Sequence, residues 1–500
     1  MEEFYRKRSL TIWICLVIVM AGANVSAQTL ATLQIFNYNN GAYPGGPLTQ
    51  GIDGGLYGVT GEGGPATCSV GWPFCGTVFE IGKRGAFKTI YEFCPLGDCA
   101  GGDGPNSGLL LTNSGSFIGT SFFGGNAQGC TMGCGTIFGI TEKAVLTTLY
   151  SFTSSDGHSP TGALVQAPNG TLYGTVWGGT GTSCGGGACG TVYSLSPDGK
   201  VATLHAFTFT EGAYPHQLVL GNDGNFYGTG YMGGAAGCPN YGNGCGTVFK
   251  ITPEGALTVL HVFCETTCTD GSYPSALTLG SDGNFYGGTV SGGDLNCFDG
   301  YGCGTLFKIT PTGELTTLHN FEEYDGENLY EPPIQGSDGN LYGVTGAGGS
   351  GGTIYEITPT GDLTTIYNFC MQRDCPDGLD PNSLMQATDG NFYGTTAEGG
   401  DLQCIASNNG CGTAFRLSTG LGPFVAFVRG YGKVGQTGGI LGQGFIGTTN
   451  VSLNGTSAAF VVISDTLIKA TVPPGATTGC VTVSTPGGTL RSNVSFQVIQ

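Results

Sequence analysis

A glycine that closes a short aromatic motif, typically NFYG or NLYG, recurs at a nearly constant spacing along the chain. Neighbouring copies are separated by 51 to 61 residues. A repeat of this length indicates one supersecondary unit per copy, either stacked in a solenoid or arranged in a propeller. The seven glycines that mark the copies are Gly58, Gly119, Gly174, Gly228, Gly287, Gly343 and Gly394.

Each copy reads as four short strands separated by turns. In the fifth copy the strands are predicted at Ala276–Gly280, Phe285–Thr289, Thr305–Thr310 and Leu315–Phe321. The turn SDGN joins the first two and PTG joins the last two, because Gly adopts positive φ cheaply and Pro presets the first turn position. The fourth strand carries apolar side chains on both faces, which is typical of a sheet packed between two others.

The two ends of the repeat region complement each other. Residues Leu30–Phe36 resemble a fourth strand without the other three, whereas the seventh copy has three strands and then stops. An N-terminal strand that completes the last sheet would close a ring. The prediction is an all-β fold, with a seven-bladed β-propeller over residues 28–420 closed by this strand. A β-solenoid is the alternative, but it would need capping repeats that the sequence does not show.

The segments outside the repeats predict two further regions. Residues 1–27 combine basic residues at positions 6–8, the apolar run Leu10–Met20 and a small-residue site at 25–27, a pattern typical of a secretory signal peptide. The apolar run is too short to span a bilayer comfortably, so cleavage is favoured over a membrane anchor, and no later segment is predicted to cross a membrane. Residues 421–500 contain short alternating strands and predict a small immunoglobulin-like β-sandwich.

Composition and charge narrow the classes of partner. The chain has 95 Gly among 500 residues, 10% charged residues and a formal net charge of −19 at pH 7. An acidic surface argues against nucleic acid and anionic membranes as partners. A glycan or a surface protein fits better, and the predicted location is secreted or at the cell surface.

Eighteen of the 20 cysteines fall into nine close pairs at equivalent positions of the repeats. Copies that lack one member of a pair also lack the other, which is the pattern that a bond predicts. A zinc site is the alternative, but it would need about four ligands, and each loop offers two cysteines without a partnered histidine. Disulfides in an oxidising compartment are therefore predicted. The pairs are Cys68/Cys75, Cys94/Cys99, Cys130/Cys134, Cys184/Cys189, Cys238/Cys245, Cys264/Cys268, Cys297/Cys303, Cys370/Cys375 and Cys404/Cys411.

Once Cys15 is removed with the signal peptide, one cysteine has no partner. Cys480 lies in the C-terminal region, in a predicted strand. An exposed odd cysteine could link two chains, whereas a partly covered one would stay a free thiol. We favour the free thiol.

Motifs in the C-terminal region resemble the IPT/TIG family of immunoglobulin-like domains. They are LGQGF at 441–445, NGTSA at 454–458, VPPGA at 472–476 and TPGG at 485–488. The resemblance implies a spacer or interaction module, and it carries no catalytic chemistry.

The repeats themselves resemble the bacterial tandem-repeat family called choice-of-anchor GloVer. The shared pattern is DGNFYGTT, then GG, then CGTVFKITP and LTTLYSF, over roughly residues 28–420. The resemblance implies export and placement at the surface, but no defined activity.

Alternating strand directions predict two different faces. We call loop face the side that carries the loops between second and third strands and those after fourth strands. We call turn face the side with the DGN and PxG turns.

Where second strands reach the loop face, copies two to four carry bulky residues. These predict either packing beneath their own loops or a platform for a sugar ring or an apolar partner. These residues are Phe122, Phe123, Trp177, Tyr231 and Met232.

Catalytic and metal-binding patterns are scarce, and no cofactor or metal site is predicted. His205, His261 and His319 share one fourth-strand position and are predicted to be structural, while His158 and His216 fall in predicted loops without a nucleophile nearby. The aspartate of each DG turn is explained by turn geometry. The acidic cluster at 322–327 could hold calcium, but a solvated loop is favoured because its spacing is not that of an EF-hand.

Three functions remain open at this stage. The favoured one is a non-catalytic exported binding or adhesion protein that uses its loop face. A carbohydrate-active enzyme, a glycoside hydrolase or lyase, is the first alternative, because paired carboxylates could meet in three dimensions. A structural envelope protein is the second.

Overall fold

The computed structural model describes residues 28–64, 74–95, 99–125, 129–179, 184, 188–234, 244–297, 300–404 and 409–499. The described chain is all-β, and its one helical segment is a three-residue 3-10 turn at Cys268–Asp270. The predicted signal peptide at 1–27 lies outside the described residues. No helix within the described ranges is long and apolar enough to cross a membrane.

Strand β1 (Thr29–Ile35) opens the described chain, and three antiparallel sheets follow it. In two of the seven repeat sheets, numbered 2 and 4 below, the first strand consists of two separate segments. Sheet 1 contains β2 (Ala42–Gln50), β3 (Leu56–Glu62), β4 (Thr77–Ile81) and β5 (Phe87–Glu92). Sheet 2 contains β6 (Asp103–Pro105), β7 (Leu110–Leu111), β8 (Phe117–Phe123), β9 (Thr136–Ile140) and β10 (Leu146–Ser151). Sheet 3 contains β11 (His158–Gln166), β12 (Leu172–Gly178), β13 (Thr191–Leu195) and β14 (Val201–Ala206).

Four more sheets repeat the same order. Sheet 4 contains β15 (Ala213–Pro215), β16 (Val219–Leu220), β17 (Phe226–Met232), β18 (Thr247–Ile251) and β19 (Leu257–Val262). Sheet 5 contains β20 (Ser272–Leu279), β21 (Phe285–Ser291), β22 (Thr305–Ile309) and β23 (Leu315–Asn320). Sheet 6 contains β24 (Ile334–Gln335), β25 (Leu341–Thr345), β26 (Thr353–Ile357) and β27 (Leu363–Asn368). Sheet 7 contains β28 (Leu379–Gln386), β29 (Phe392–Glu398) and β30 (Thr413–Ser418), and its fourth strand is β1.

The fourth strand of sheet 7 comes from the other end of the chain, as expected for residues 30–36. Strand β1 pairs antiparallel with β30, with Thr29 opposite Ser418 and Ile35 opposite Thr413. The pairing extends past the strand, because the Phe36 N–H donates to the carbonyl of Gly412 over 3.0 Å.

The first strands begin earlier than the sequence analysis predicted. In the fifth copy the strand starts at Ser272 rather than Ala276, and so includes Pro274. A proline is tolerated there because β20 is the edge strand of its sheet. The residue before it, Tyr273, has a φ of 59°, and its N–H donates to the carbonyl of Cys245 in the preceding sheet.

Each sheet contacts the next, and the seventh contacts the first. At six of the seven junctions between neighbouring sheets, a backbone N–H near the start of a first strand donates to a carbonyl of the preceding sheet. Between sheets 7 and 1, for example, the Tyr43 N–H donates to the Cys411 carbonyl. Between sheets 5 and 6 the contact is a buried apolar cluster that includes Tyr286, Leu306 and Tyr355. Apolar side chains on both faces of each sheet therefore have partners.

The aspartates of the DG turns have the local role expected of them. Asp223 accepts the N–H of Asn225, and the same pattern holds at Asp282, Asp338 and Asp389. Each also accepts a hydrogen bond from a tyrosine hydroxyl four residues later, at 2.8 to 2.9 Å. The tyrosine of the NFYG motif thus stabilises the turn that precedes it.

The structure contains multiple disulfides. Cys68 and Cys238 lie outside the described residues, so two of the nine predicted pairs are not described. The seven bonds between described cysteines are Cys94–Cys99, Cys130–Cys134, Cys184–Cys189, Cys264–Cys268, Cys297–Cys303, Cys370–Cys375 and Cys404–Cys411. Cys480 is a half-buried free thiol that receives a hydrogen bond from Arg491 at 3.2 Å.

The C-terminal region forms two four-stranded sheets and a two-stranded parallel one. The two larger sheets share one core, which includes Ile440 and Ile468 from one sheet and Val451 and Val483 from the other. The strands are β31 (Ala426–Phe427), β32 (Tyr431–Lys433), β33 (Thr437–Leu441), β34 (Asn450–Leu453), β35 (Thr456–Ser457), β36 (Phe460–Ser464), β37 (Leu467–Thr471), β38 (Val481–Thr485), β39 (Gly488–Arg491) and β40 (Gln497–Ile499).

This C-terminal unit packs against the turn face. Leu441 and Leu467 join the apolar cluster of sheets 1 and 2, and the Thr466 hydroxyl donates to the carbonyl of Ile52 over 2.9 Å. The Tyr431 hydroxyl donates to the carbonyl of Gln166 at the end of β11. The described contacts between the two parts therefore involve the ends of first strands and the turns beside them.

Candidate functional site

A cavity of about 140 Å³ lies beside the middle of the first strands, with Trp177 from the loop-face end of β12 in its wall. Its walls come from six of the seven sheets, which places it where the sheets converge. A single cavity with contributions from so many repeats is a natural ligand site, because each repeat can supply a different side chain. The six contributions include Gly46, Asn106, Gly162, Gln217, Ala276 and Glu331. We call it the central cavity.

The backbone that builds this cavity is the same in most copies. The residue before the first-strand proline has positive φ at Tyr43, Ser159, Tyr214, Tyr273 and Asp380, with values of 52° to 60°. An L residue in this region is strained by roughly 1 kcal/mol or more. The recurring hydrogen bond from this residue to the preceding sheet offsets the strain. The residues directly after the proline then line the cavity, and these positions differ between copies.

Trp177 forms one wall of the central cavity. It lies near the end of β12, and 38% of its surface is exposed. Its ring contacts Phe122 edge-to-face with 5.8 Å between centroids, and Tyr214 at 6.1 Å. The two neighbouring phenylalanines lie 4.7 Å apart, and Phe123 stacks on Phe74 at 5.5 Å. The result is a continuous row of aromatic rings that ends in the cavity.

His216 also lines the central cavity, and its environment is unusual. Burial lowers the pKa of its imidazole to about 4, so the ring is neutral near pH 7. Its Nε2 atom is buried and has no hydrogen-bond partner among the described residues. The ring packs edge-on against Tyr231 with 5.7 Å between centroids. A buried ring nitrogen without a partner is costly unless something polar reaches it, and a ligand in the cavity could do so.

Glu331 supplies the carboxyl group of the central cavity. Burial raises the pKa of this group to about 7, so it carries a proton part of the time at neutral pH. A second acid, Asp380, lies near the neighbouring Tyr330, since a side-chain carbon at Gly346 would meet both Asp380 Oδ1 and the Tyr330 ring within 3 Å. The pKa of Asp380 is raised to about 6, first by burial and then by Glu398. Acids with such shifts are common at functional sites.

The five aromatic and apolar residues singled out by sequence fall into two groups. Phe122, Phe123 and Trp177 lie together in the row of rings. Tyr231 and Met232 pack against the buried cluster of sheets 4 and 5, and Tyr231 also contacts Tyr273 at 5.2 Å. Met232 also packs against the buried cluster of sheets 3 and 4.

Two expectations about polar residues need correction. His158 does not fall in a loop, because it is the first residue of β11, and His216 follows β15 directly and lines the central cavity. The acidic cluster at 322–327 is not simply a solvated loop, because Asp325 is only 5% exposed and accepts hydrogen bonds from His319, at 2.9 Å, and from the Glu322 N–H.

The repeated histidines have structural roles, as expected. His205, His261 and His319 each contact a carboxylate in the segment that leads to the following first strand, at 2.9 to 3.2 Å. Within the described ranges, the groups of three potential metal ligands are Cys245 with Cys264 and Cys268, and Cys94 with Cys99 and Asp103. All five of these cysteines are disulfide-bonded, which removes the thiolates that a metal would need.

The sheets and their repeated turns define an all-β repeat protein of propeller-like construction. The chain belongs to the Gloeobacter/Verrucomicrobia repeat family, whose model matches residues 22–238, 179–405 and 299–458. No curated protein matches the chain.

Solved structures with related folds share little sequence with this chain. One is the extracellular domain of a protein described as a hybrid two component system from B. thetaiotaomicron, with 12% identity and a TM-score of 0.47 over 92% of this chain and 53% of that one. This chain thus corresponds to about half of that structure. The PQQ-bound aldose sugar dehydrogenase from Streptomyces coelicolor has 12% identity and a TM-score of 0.38 over 62% of this chain and 93% of that one.

A third structure is a gluconolactonase from Xanthomonas campestris. It has 12% identity and a TM-score of 0.38 over 79% of this chain and 90% of that one. Similarity at this level is too low to carry an activity from any of these proteins to this chain.

Proposed function

We propose that this is an exported binding protein in which the central cavity and its row of aromatic rings hold a ligand. The observation that carries the proposal is the cavity itself, where one partly exposed indole, one buried imidazole without a partner and one buried carboxyl group converge from three sheets. These three groups occur once each, whereas the surrounding backbone is repeated. Side chains that occur in one copy only and meet in one cavity are not needed to form the repeated fold. A ligand explains them better.

The architecture that we propose around this site has three regions. Residues 1–27 are a signal peptide that is removed on export. Residues 28–420 form a seven-bladed β-propeller, which the seven contacting sheets and the pairing of β1 with β30 support. Residues 421–500 form an IPT/TIG-like, immunoglobulin-type sandwich, which the shared core of two four-stranded sheets supports. Multiple disulfides support a location outside the cytoplasm, secreted or at the cell surface.

A neutral glycan is the ligand class that suits the site best. The face of an indole packs against the C–H face of a sugar ring, while amide, imidazole and carboxyl groups hydrogen-bond its hydroxyls. Asn106, Gln217, His216 and Glu331 offer such groups within the one cavity. A cavity of about 140 Å³ holds only the end of a saccharide, so the rest would lie along the row of aromatic rings.

Substitution of Trp177 tests this proposal. A screen on a glycan array identifies the saccharide, and calorimetry then compares the parent with Trp177→Ala. We expect binding at least tenfold weaker, since truncating a central aromatic contact costs more than about 1.4 kcal/mol. Because Trp177 is partly exposed, the melting temperature should change little.

Tyr324→Ala is the matched control, because Tyr324 is an aromatic residue at 69% exposure that does not line the cavity. It should leave saccharide binding unchanged. If both variants bind equally well, or if no glycan or surface protein binds the parent, the proposed site is wrong, and a structural envelope role becomes the better account.

An enzyme is the second candidate, and Glu331 is the observation that favours it. A carboxyl group with a pKa near 7 can donate a proton to a leaving group at neutral pH. Polysaccharide turnover that disappears in Glu331→Gln while saccharide binding persists would establish a glycoside hydrolase or lyase. Binding without turnover by the parent would instead support the non-catalytic function.

A further inference from the structure

A second pocket, of about 330 Å³, lies on the turn face at the seam between sheets 1 and 7. Lys83 and Arg84 enter it from the turn between β4 and β5, Arg416 enters it from β30, and Gln443 enters it from the C-terminal unit. Buried Leu56 and Ile81, with the partly buried Leu33, form an apolar part of its wall. We call it the basic pocket.

The positive charge of the basic pocket is exceptional for this chain. The chain has 16 Lys and Arg against 35 Asp and Glu, yet three basic residues line this one pocket. The one carboxylate in its lining, Asp389, already accepts hydrogen bonds from the Asn391 N–H, the Asn391 amide and the Tyr393 hydroxyl. The Asp389 carboxylate is therefore already hydrogen-bonded to residues of its own turn and strand.

The basic residues themselves have few partners. Among the residues that the structure describes, Lys83 and Arg84 form no hydrogen bond or ion pair, and the ion pairs found elsewhere include none with Arg416. Arg416 hydrogen-bonds the hydroxyl of Tyr393, which is a neutral partner. The side chain of Lys83 runs close to Gly54, where an added side-chain carbon would lie 3.3 Å from its Nζ. Its ammonium group therefore stays at the pocket.

The other repeats show that folding does not require these charges. The equivalent turn reads SPDG in the third copy, TPEG in the fourth, and TPTG in the fifth and sixth, whereas the first copy has GKRG. The turn forms with or without Lys83 and Arg84, because Gly85 supplies a positive φ of 79°, which copies three to six obtain from the equivalent glycine and the second copy from Ala144. The two cations are a departure from the repeat at the seam where the basic pocket opens.

We propose that the basic pocket binds an oxyanionic group, a carboxylate, sulfate or phosphate, carried on a small organic molecule. Arginine and lysine side chains give the charge-assisted hydrogen bonds that such groups prefer, and the apolar wall accommodates the remainder of the molecule. This site is separate from the central cavity. A ligand here touches the first sheet, the last sheet and the C-terminal unit together, so it also stabilises the seam between them.

Calorimetry with D-glucuronate, glucose 6-phosphate and glucose tests the proposal on the full mature chain. Glucuronate, glucose 6-phosphate or both should bind the parent, with affinity that falls as sodium chloride rises from 20 to 200 mM, and glucose should not bind through this pocket. Binding of glucuronate alone identifies a carboxylate site, and binding of glucose 6-phosphate alone identifies a phosphate site. The bound anion should also raise the melting temperature, because it binds the folded state only.

The double variant Lys83→Ala/Arg84→Ala should weaken anion binding at least tenfold, and Arg416→Ala should do so separately. The double variant Lys143→Ala/Lys200→Ala is the matched control, since it removes one cation from the equivalent turn of the second copy and one directly after that of the third, and changes net charge equally. The control and Trp177→Ala should bind the anion as the parent does. The proposal is overturned if neither anion binds the parent, or if the control loses as much affinity as the Lys83/Arg84 variant.

Discussion

The loop face and the turn face are built by the same seven sheets but differ in almost every chemical respect. Four of the seven turns between first and second strands follow one formula, in which an aspartate accepts hydrogen bonds from the N–H of the asparagine two residues later and from a tyrosine hydroxyl. The loops on the opposite side differ between copies in length and sequence, and the described disulfides lie there. Uniform turns contribute to folding, whereas variable loops on a rigid scaffold leave room for binding.

Electrostatics separates the faces as well. Asp103, at the start of β6 on the loop face, has a pKa raised to about 6 by burial, although the N–H groups of Cys75 and Phe74 oppose the shift. Asp223 is in a DG turn, where burial alone would raise its pKa, but hydrogen bonds from Lys250, Asn225 and Tyr227 hold it at about 2. Asp223 on the turn face is therefore held charged, whereas Asp103 on the loop face is costly to ionise.

The largest effect should come from removing strand β1, which belongs to the scaffold that carries both faces. Deletion of residues 28–37 takes away β1 and leaves β30 as an unpaired edge in sheet 7. We expect loss of cooperative thermal unfolding or aggregation on expression, measured by calorimetry and size-exclusion chromatography. A synthetic peptide of residues 28–37 added in trans should restore part of the stability. A deleted chain that melts like the parent would show that the last sheet does not need this strand.

A smaller effect is expected from a loop-face disulfide. The double variant Cys370→Ser/Cys375→Ser opens a loop with a sequence separation of 5 residues, and a loop of this size contributes about 2 kcal/mol in the chain-entropy account. The free energy of unfolding in urea should fall by about that amount. Cys480→Ser is the control, because Cys480 forms no disulfide. Equal stability of the double variant and the control would mean that this bond does not stabilise the loop face.

How much of the fold and of the candidate site could be predicted from the sequence depended on how far apart in the chain the interacting residues are. Turns, strand phase and the pairing of neighbouring cysteines are local, so DGN and PxG motifs predicted them. The pairing of β1 with β30 is remote in sequence, yet it was predictable because seven copies left one strand missing and one in excess. The early start of β20 was missed because Pro274 reads as a break, although an edge strand accepts it.

The central cavity could not be predicted, because its residues come from separate copies that share no spacing signal. His216 and Glu331 lie 115 positions apart, in copies whose first strands differ in sequence. Aligning the copies on the first-strand proline would have placed His216 and Gln217 at the two positions after it, but not Glu331, which directly precedes Pro332. Even so, only the arrangement of the sheets shows that those positions face one another.

The third prediction uses the difference in pKa between the faces. Asp103→Asn keeps the side-chain shape and removes the ionisable group. Because the folded pKa is raised, the stability due to the neutral carboxyl is fully present below about pH 4 and is lost as pH rises through 6. The variant should therefore match the parent at pH 4 and be more stable by about 1 to 2 kcal/mol at pH 7.5.

Asp223→Asn is the matched test on the turn face, and its sign is opposite. With a folded pKa of about 2, the carboxylate contributes stability above about pH 4 that is lost as pH falls toward 2. The variant should be slightly less stable than the parent at pH 7, by less than about 1 kcal/mol because the pair with Lys250 is partly exposed. Curves of unfolding free energy against pH with the same sign for both variants would contradict the electrostatic difference between the faces.

The last prediction concerns the contact between the turn face and the C-terminal unit. Tyr431→Phe removes the hydroxyl that donates to the Gln166 carbonyl and keeps the aromatic ring. The loss of one such bond should cost about 1 kcal/mol, seen as faster amide hydrogen exchange at the end of β11. Thr437→Ala removes a hydroxyl contact with Thr471 inside the C-terminal unit and serves as the control, because it should leave exchange in β11 unchanged. Ligand binding at the central cavity should be the same in both variants, since neither Tyr431 nor Gln166 lines the cavity. A change in that binding on Tyr431→Phe would mean that the two faces are coupled through the first strands, and that their separate roles do not hold.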